Sequence, residues 1–234
     1  MKENFLFTEE AKYSYTHNDI LIVLIEWLKY WMKLNNLTGK NCCLINGTAC
    51  TGWDNILLSN KIFDNSVLFE ISKKNYKYLA INLKNYMNIY KPEIIESENN
   101  IKLISNRKII VAYNTDTIKQ IKKLDETIKS SFNLNNYIIY LDIPWTGKNY
   151  YKINKLTLSF GNYKLEEFIK YIFEECNNIS FLLLKLPFNY DKELLFSSIY
   201  NSNILDSKNK TTKKLTYKTI DLHRMFFVLI GIIN

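Results

Sequence analysis

The chain has 234 residues, of which 47% are hydrophobic, and it carries a formal net charge of +8. This length fits one α/β domain with or without a small extension, and the charge favours a polyanionic partner such as nucleic acid, although AT-rich coding alone also enriches Lys, Asn, Ile and Tyr. The sequence has four cysteines without a CxxC pair and only two histidines, so a structural metal site is not expected.

The cysteines and the start of the chain indicate the compartment. Cys42 and Cys43 lie in a predicted core strand, where they are expected to be reduced, small buried groups. The sequence shows neither a signal-like start nor an apolar run of about 18 residues. We therefore predict an intracellular protein, cytoplasmic or nuclear, without a membrane span. The coding bias is compatible with a viral protein in a host cell, and a monomer is the expected state.

The first half of the chain alternates between predicted helices and strands. Apolar residues at helical spacing in NDILIVLIEWLKYWMKLN predict a first helix, capped by Asn18, that packs on a sheet. Strands are then predicted at NCCLING, SVLFEI and RKIIVAYN, and helices at residues 54–60, in KKNYKYLAINLKNYMNIY and in TDTIKQIKKLDETIKSSF. In the second of these helices, the predicted inward positions are Tyr78, Ile81, Tyr86 and Ile89. Residues 92–106 are polar and are predicted to form an irregular surface insertion.

The second half continues this alternation and ends with two strands in succession. YIIYLD and ISFLLLKLPFN are predicted strands, and KLEEFIKYIFEECNN is the predicted helix between them. KKLTYKTIDL and RMFFVLIGII follow without an intervening helix and are predicted to pair antiparallel at the sheet edge. Apolar strands that alternate with helices are typical of an α/β fold with a mostly parallel sheet and helices on both faces.

The loops after the predicted strands carry candidate ligand-binding residues, because ligands of open parallel sheets bind beyond the carboxyl ends of the strands. Gly47 and Gly52 flank small residues after the first strand, Glu70 ends the second, and Asp116 follows the third. A carboxylate at Glu70 can accept both hydroxyls of a ribose. The first loop lacks the GxGxxG and GK[ST] patterns of dinucleotide and triphosphate sites. The set therefore favours S-adenosylmethionine over NAD or ATP, although a plain turn and a solvated acid are the alternatives.

The stretch LDIPWTGKNYY after the fourth strand contains the candidate chemistry. Asp142 and the carbonyl of Ile143 can each accept one N–H of an aryl amine and hold its nitrogen in line with a methyl donor. Pro144 stiffens the turn without a competing N–H, and the flat face of Trp145 can stack on a base. The alternative is a strand end followed by a buried aromatic turn.

The same stretch resembles the Asp-Pro-Pro-Trp-Gly-Gly-x-x-Tyr motif of amino-methyltransferases, in particular that of the trimethylguanosine synthase family, which methylates N2 of the guanine in the 7-methylguanosine RNA cap. Four further segments are similar to segments of that family in the same order: YSYTHNDIL, LINGTACTGWDNILL, LFEISKKNYKYLAINLKNY and NNISFLLLKLPFNYDKELL. The resemblance implies a Rossmann-like class I methyltransferase fold, with a mostly parallel seven-stranded sheet and an antiparallel C-terminal strand. It also implies a helical extension over residues 1–40 and a methyltransferase domain over residues 41–234.

The resemblance assigns roles residue by residue. S-adenosylmethionine is the implied cofactor, capped RNA is the implied partner, and no metal takes part. The implied cofactor-binding residues are Thr16, Asn46, Gly47, Thr48, Gly52, Glu70 and Asp116. The implied catalytic residues are Asp142 and Pro144, and the implied substrate-binding residues are Trp145, Tyr150 and Asn189.

The chain departs from the family's pattern at four positions. Asn46 replaces an acid at the end of the first strand, Cys50 and Trp53 replace glycines, and Ile143 replaces a proline. These changes leave open a catalytically degenerate subunit that binds caps or RNA. A further alternative is an adenine-N6 methyltransferase acting on DNA or RNA, which uses the same motif after the fourth strand.

Overall fold

The computed structural model describes residues 5–147, 149–206 and 211–233. The strands are β1 (Cys42–Asn46), β2 (Asn65–Phe69), β3 (Glu93–Glu96), β4 (Asn100–Ile104), β5 (Ile109–Tyr113), β6 (Asn136–Asp142), β7 (Ser159–Phe160), β8 (Tyr163–Lys164), β9 (Ile179–Pro187), β10 (Asn203–Asp206), β11 (Thr211–Leu222) and β12 (Met225–Ile233). The helices are α1 (Ala11–Ser14), α2 (Asn18–Leu34), α3 (Trp53–Lys61), α4 (Lys73–Met87), α5 (Thr117–Gln120), α6 (Leu124–Phe132), α7 (Leu165–Glu175) and α8 (Lys192–Tyr200). Within the described ranges, no helix has the length and apolar character needed to cross a membrane.

Ten of the strands form one sheet in the order β10-β11-β12-β9-β6-β1-β2-β5-β4-β3, while β7 and β8 form a separate hairpin. The five central strands β9, β6, β1, β2 and β5 run parallel, and the strands at both edges pair antiparallel. The chain leaves β1 towards β2 on one side and later returns to β6 on the other. β1 and β6 therefore border the topological switch point of the sheet. The predicted α/β class with a parallel core is confirmed.

The sheet has ten strands rather than the predicted seven. Residues 92–106, predicted to be irregular, contain β3 and β4, an antiparallel hairpin that extends the sheet beyond β5. β3 has the sequence EIIE and is exposed along its whole length, so no buried-strand pattern marks it. β11 and β12 form the predicted antiparallel pair, but β10 lies outside β11, so the pair is not at the sheet edge.

The core lies on both faces of the sheet because successive residues of a strand point to opposite sides. Cys42 and Leu44 of β1 pack with α2 on one face, whereas Cys43 and Ile45 pack with α6 and α7 on the other. Helices on both faces are therefore confirmed. Burial raises the pKa of the Cys42 thiol to about 12, which makes this cysteine an unreactive core group, as predicted.

The chain ahead of the first long helix is tied to the rest of the molecule. Helix α2 begins at Asn18 itself, so the capping position belongs to His17 and not, as predicted, to Asn18; the His17 side chain makes no capping hydrogen bond. Further upstream, the backbone of Leu6 exchanges two hydrogen bonds of 2.8 Å with the side-chain amide of Asn82 in α4. Since α2 shares a core with the central strands, the division at residue 40 stays a prediction.

Candidate active site

A cleft opens at the topological switch point, beyond the carboxyl ends of β1 and β6, with an empty volume of about 340 Å³ that includes space open to solvent. One wall is the segment formed by residues 11–17, called here the N-terminal segment, and the other is the loop between β1 and α3. The lining residues are Ala11, Ser14, Tyr15, Asn46, Thr48, Ala49, Cys50, Thr51, Trp53, Asp54, Tyr140 and Asp142. This switch-point cleft brings together three of the predicted site residues, Asn46, Thr48 and Asp142.

The loop after β1 is locked to the neighbouring strand β6 by short polar contacts. Asn46 Oδ1 accepts a hydrogen bond from the backbone N–H of Thr48 at 3.0 Å, and Thr48 Oγ1 accepts one from the backbone N–H of Asp142 at 2.7 Å. Gly47 is packed between elements: a Cβ there would lie 2.5 Å from Leu141 Cδ2 and 2.9 Å from Thr117 Cγ2. Any larger residue would require the side chains of Leu141 and Thr117 to shift, so Gly47 allows the close approach of loop and strand.

Glu70, the predicted ribose-binding acid, lies directly after β2 and is 7% exposed. Its Oε2 accepts the backbone N–H of Cys50 at 2.7 Å, and its Oε1 accepts that of Ser72 at 2.7 Å. Burial raises the pKa of Glu70, while these two backbone N–H groups oppose the rise. The side-chain hydrogen bond from Asn75 opposes it as well, so three donors already bind this carboxylate, which is not part of the cleft lining.

Three other predicted cofactor residues support the loops around the cleft. Asp116 caps α5, because its Oδ1 accepts the backbone N–H of Ile118 at 3.0 Å, and it is not part of the cleft lining. Gly52 precedes α3 with φ of +90°, a left-handed conformation that favours glycine. Thr16 is fully buried and lies in the N-terminal segment.

Asp142, the predicted catalytic acid, lies at the end of β6 and forms an ion pair that the sequence analysis did not foresee. Its Oδ2 lies 2.6 Å from Nζ of Lys185 in β9, the residue directly opposite it in the β6–β9 register. The Lys185 side chain is 1% exposed, whereas that of Asp142 is 22% exposed and reaches the cleft. Lys185 Nζ also donates to the backbone carbonyl of Ser14 at 3.0 Å.

Burial and charge oppose each other at this pair. Burial raises the pKa of Asp142 to about 6, the charge of Lys185 lowers it, and the nearby carboxylate of Asp54 raises it again. Burial also disfavours the charge of Lys185, but the carboxylates of Asp142 and Asp54 outweigh it and raise the lysine pKa above its ordinary value. Near neutral pH the site therefore holds an ionised carboxylate beside an ammonium group.

Asp54 anchors a second polar network at the same cleft. Its Oδ2 accepts the hydroxyl of Thr16 at 2.6 Å and the phenol of Tyr140 at 2.7 Å. The indole Nε1 of Trp53 donates to the backbone carbonyl of Thr16 at 3.0 Å. Thr16 thus joins the N-terminal segment to α3 directly and to Tyr140 of β6 through the shared carboxylate of Asp54. Its hydroxyl and its backbone carbonyl are both used in these contacts.

Trp145 follows Asp142 by three residues, and its ring lies beside the ion pair. Lys185 Nζ is 5.4 Å from the centroid of the indole, within cation–π range. Tyr150 packs edge-on against Trp145 with centroids 5.1 Å apart. Trp145 Nε1 is buried and has no hydrogen-bond partner among the described residues. Pro144 is exposed between Asp142 and this aromatic pair.

Asn189, predicted to bind the substrate base, supports the loop after β6. Its Nδ2 donates to the backbone carbonyls of Tyr150 at 2.8 Å and Ile153 at 2.6 Å. Its Oδ1 is buried and accepts no hydrogen bond from any described residue. The amide therefore holds the backbone of the aromatic loop and keeps one acceptor unused.

Sequence reasoning missed two charged residues of the cleft, Asp54 and Lys185. A lysine inside the otherwise apolar run FLLLKLPF is a usable signal, because a buried ammonium requires a charged or polar partner. Asp54, directly after the loop that bears Gly52, had no comparable signal. Within the described ranges, no group of three or more His, Cys, Asp or Glu residues is arranged to hold a metal ion.

No protein-family model matches the sequence. The sequence is 26% identical over 185 residues to Uncharacterized protein L320 of Acanthamoeba polyphaga mimivirus, a match that covers 78% of this chain and 61% of the viral protein. The chain therefore spans less than two thirds of the length of this curated relative.

Solved structures share the fold. Trm1 from Pyrococcus horikoshii, in complex with S-adenosyl-L-methionine, superposes with a TM-score of 0.55 at 13% identity over 97% of this chain and 58% of that chain. The N-terminal domain of human METTL16, in complex with SAH, superposes with a TM-score of 0.53 at 12% identity over 93% of this chain and 71% of that chain. At these identities the likeness concerns the fold alone. The chain has the Rossmann-like α/β fold that these two cofactor-bound structures share.

Proposed function

We propose that this protein is an S-adenosylmethionine-dependent methyltransferase that modifies an exocyclic purine amine in RNA, and that N2 of the 7-methylguanosine cap is its acceptor. One observation carries the proposal: the carboxylate of Asp142 reaches a cleft that it shares with the loop after β1. The exposed Pro144 and the indole of Trp145 follow it directly. The RNA substrate is supported by the net charge of +8 and the cap by the resemblance to trimethylguanosine synthases.

The charges around the cleft fit the cofactor. Asp54 and Asp142 contribute two carboxylates to the lining, against the one ammonium group of Lys185 that pairs with Asp142, so the cleft is negative as a whole. Glu70 adds a third carboxylate that binds the loop of Cys50 but lies outside the lining. S-adenosylmethionine, which supplies an electrophilic methyl group when bound, carries both a sulfonium and an ammonium charge. In this proposal Glu70 accepts ribose hydroxyls, while Asn46 and Thr48 hold the methionine end.

The acceptor amine would bind at the end of β6. The ion pair with Lys185 uses Oδ2 of Asp142, which leaves Oδ1 to accept one N–H of the amine. The carbonyl of Ile143 accepts the second N–H and so directs the nitrogen lone pair towards the methyl group. The ring of Trp145 stacks on the base, a contact worth about 1–3 kcal/mol in single-stranded nucleic acid complexes.

The test is transfer of a tritiated methyl group to a cap analogue with the N7 methyl group, to the same analogue without it, and to an adenine oligonucleotide. Transfer to the N7-methylated cap supports the full proposal. Transfer to the adenine oligonucleotide alone rejects the cap as the acceptor and supports an adenine methyltransferase. When no acceptor is methylated, calorimetry with S-adenosylhomocysteine (SAH) decides: an absence of binding at about millimolar ligand would indicate a cap- or RNA-binding subunit that has lost the donor.

The second candidate, an adenine-N6 methyltransferase, is favoured by the contact between Lys185 and Trp145. The lysine ammonium lies 5.4 Å from the indole centroid, so one cation already interacts with this ring. A base that is cationic through N7 methylation would add a second positive charge at the same indole, whereas neutral adenine would not. The comparison of the two cap analogues measures this effect directly.

A further inference from the structure

Lys185 is a buried cation in the middle of the sheet. It lies in the strand sequence ISFLLLKLP, whose side chains are mostly buried, and its own side chain is 1% exposed. Removing an ammonium group from water costs several kcal/mol unless partners repay the cost. The partners of Lys185 therefore indicate why a lysine is retained at this position.

Those partners come from two separate parts of the chain. Nζ lies 2.6 Å from Oδ2 of Asp142 at the end of β6 and 3.0 Å from the carbonyl oxygen of Ser14 in the N-terminal segment. It also lies 5.4 Å from the indole centroid of Trp145. A single ammonium group thus contacts the proposed catalytic acid, one wall of the cleft and the proposed stacking residue.

We propose that Lys185 is a positioning residue that couples the seating of the N-terminal segment over the cleft to the orientation and charge of Asp142. The catalytic consequence rests on the proposed function, but the coupling itself does not. When Ser14 is seated, Lys185 has two oxygen partners and holds Asp142 with Oδ1 towards the cleft. When the segment lifts away, Lys185 loses one partner and Asp142 is held less firmly. The carboxylate of Asp142 is therefore positioned for the acceptor only while Ser14 contacts Lys185.

The coupling predicts a change in the titration of Asp142 when Lys185 is removed. The groups that face Asp142 are Lys185 from β9, Asp54 from α3, Tyr140 from β6 and Cys50 from the loop after β1. Of these, only Lys185 is positively charged. Without it, the neighbouring acids and burial act unopposed, so Asp142 should hold its proton to higher pH.

The test variant is Lys185→Met, which keeps much of the side-chain volume and removes the charge. Two measurements follow it without any need for activity: carbon-13 NMR titration of the Asp142 carboxyl and hydrogen exchange of the N-terminal segment. We expect the pKa of Asp142 to rise by about one pH unit or more. We expect exchange of the amides of Tyr13 and Tyr15, which bond to the carbonyls of Glu10 and Ala11, to accelerate at least about tenfold.

Lys108→Met is the matched control. Lys108 is also buried, at 7% exposure, and its Nζ donates to the carbonyls of Ser59 and Phe63, away from the cleft. Losing this lysine should reduce stability without changing either measurement. Lys185→Arg, which restores the positive charge, should bring the titration of Asp142 back towards that of the wild type.

Asp142→Ala provides a second variant if Lys185→Met does not fold. Coupling is reciprocal, so removal of the carboxylate should also accelerate exchange in the N-terminal segment. The proposal is overturned if folded Lys185→Met shows unchanged amide exchange and an unchanged titration of Asp142. If Lys185→Met does not fold, unchanged amide exchange in Asp142→Ala overturns it. If the wild-type protein transfers no methyl group to any acceptor, the proposed function is rejected. The exchange and titration results would still decide whether Lys185 couples the N-terminal segment to Asp142.

Discussion

The two carboxylates that border the site, Glu70 and Asp142, are held in different ways. Both oxygens of Glu70 accept backbone N–H groups, from Cys50 and Ser72, each at 2.7 Å. Asp142 instead pairs through one oxygen with the side chain of Lys185, which is 43 residues away in sequence. Backbone amides carry no titratable charge and are fixed by the loop, whereas a lysine side chain can be moved or removed by a single substitution.

This difference suggests a division of labour within the proposed function. The Glu70 end is built from neighbouring loops and suits a ligand that is the same in every turnover, such as a cofactor. The Asp142 end depends on a side chain that also contacts the N-terminal segment through Ser14, so it suits an acceptor that must be admitted and released. Substitutions at each end therefore test whether the two carboxylates serve separate steps.

Asp142→Ala should have the largest effect. Turnover should fall by about 10²–10³-fold, because the amine loses a positioned acceptor in a water-poor site. The affinity for SAH should change by less than about threefold, since Glu70 and its backbone partners are untouched, a change below about 0.7 kcal/mol. Single-turnover methyl transfer and calorimetry measure the two quantities.

The matched control for this substitution is Asp191→Ala. Asp191 caps α8 by accepting the backbone N–H of Leu194 at 3.1 Å and is not part of the cleft lining. Its loss should reduce the free energy of unfolding by about 1 kcal/mol and leave turnover unchanged. If Asp142→Ala kept normal turnover, Asp142 would have no part in the mechanism.

The pH dependence of activity should report the Asp142 end. Burial raises the pKa of this acid to about 6 against the opposing charge of Lys185. The ionised form accepts the amine N–H, so kcat/KM should fall about tenfold per pH unit as the pH drops below about 6 and level off above it. A profile from about pH 4.5 to about pH 8 measures this limb, and a flat profile would show that ionisation of Asp142 is not required.

Glu70→Gln should weaken the proposed cofactor-binding end of the site. One of the backbone N–H groups of Cys50 and Ser72 would face the amide NH₂ of the glutamine and lose its acceptor. We expect SAH binding to weaken by about 1.5–3 kcal/mol, because a ribose hydroxyl would lose its hydrogen bond to a charged acceptor. Turnover at saturating cofactor should recover most of its wild-type value, unlike that of Asp142→Ala.

Glu167→Gln serves as the control for Glu70→Gln. Glu167 lies in the first turn of α7, and its Oε2 accepts the backbone N–H of Lys164 at 3.2 Å on the surface. It should leave the affinity for SAH unchanged. Equal affinities of Glu70→Gln and the wild type, measured by calorimetry, would contradict a ribose-binding role for Glu70.

Trp145→Ala should give a smaller loss that is confined to the acceptor. Cap affinity should fall by about 1–3 kcal/mol if stacking dominates, while the affinity for SAH stays constant. Trp31→Ala is a close control, because Lys218 lies 5.1 Å from the Trp31 ring on α2, outside the cleft. An unaltered cap dissociation constant would show that Trp145 only packs against its neighbours.

The strand ends of the site could be predicted from the sequence because each parallel strand is a short apolar run. The predicted strands that became β1, β2 and β6 end within a residue or two of Asn46, Glu70 and Asp142. Their carboxyl ends then meet at one edge whatever the details of packing. Local pattern therefore placed the acids at the same edge of the sheet.

Register and helix phase could not be predicted in the same way. The pairing of Asp142 with Lys185 depends on how β6 and β9 align, which no single segment encodes. Of the four residues predicted to face inward, Ile81 in α4 and Ile89 beyond its end are exposed, whereas Tyr78 and Tyr86 are half-buried. Leu79 and Leu83 of this helix are fully buried. That helix carries three tyrosines and one isoleucine on more than one face, so its apolar periodicity fits two orientations.

The smallest expected effect comes from substitution of Cys50, which lies near both Glu70 and Asp142. Its backbone N–H binds Glu70, its side chain lines the cleft with Asp142, and its φ of +50° is a left-handed conformation that strains a residue with a Cβ. Cys50→Gly should therefore raise the free energy of unfolding by up to about 1 kcal/mol, because relief of this strain exceeds the entropy cost of glycine. Urea denaturation measures the change.

Cys176→Gly separates backbone strain from the loss of a thiol. Cys176 is buried but has a φ of −103°, so glycine there removes packing without relieving strain and should destabilise the protein. If Cys50→Gly were destabilising as well, thiol packing would outweigh strain at the loop. If Cys50→Gly were stabilising and left the affinity for SAH unchanged, the backbone N–H of residue 50 alone would explain how this loop holds Glu70. Glu70 would then be held by backbone groups, whereas Asp142 is held by the side chain of Lys185.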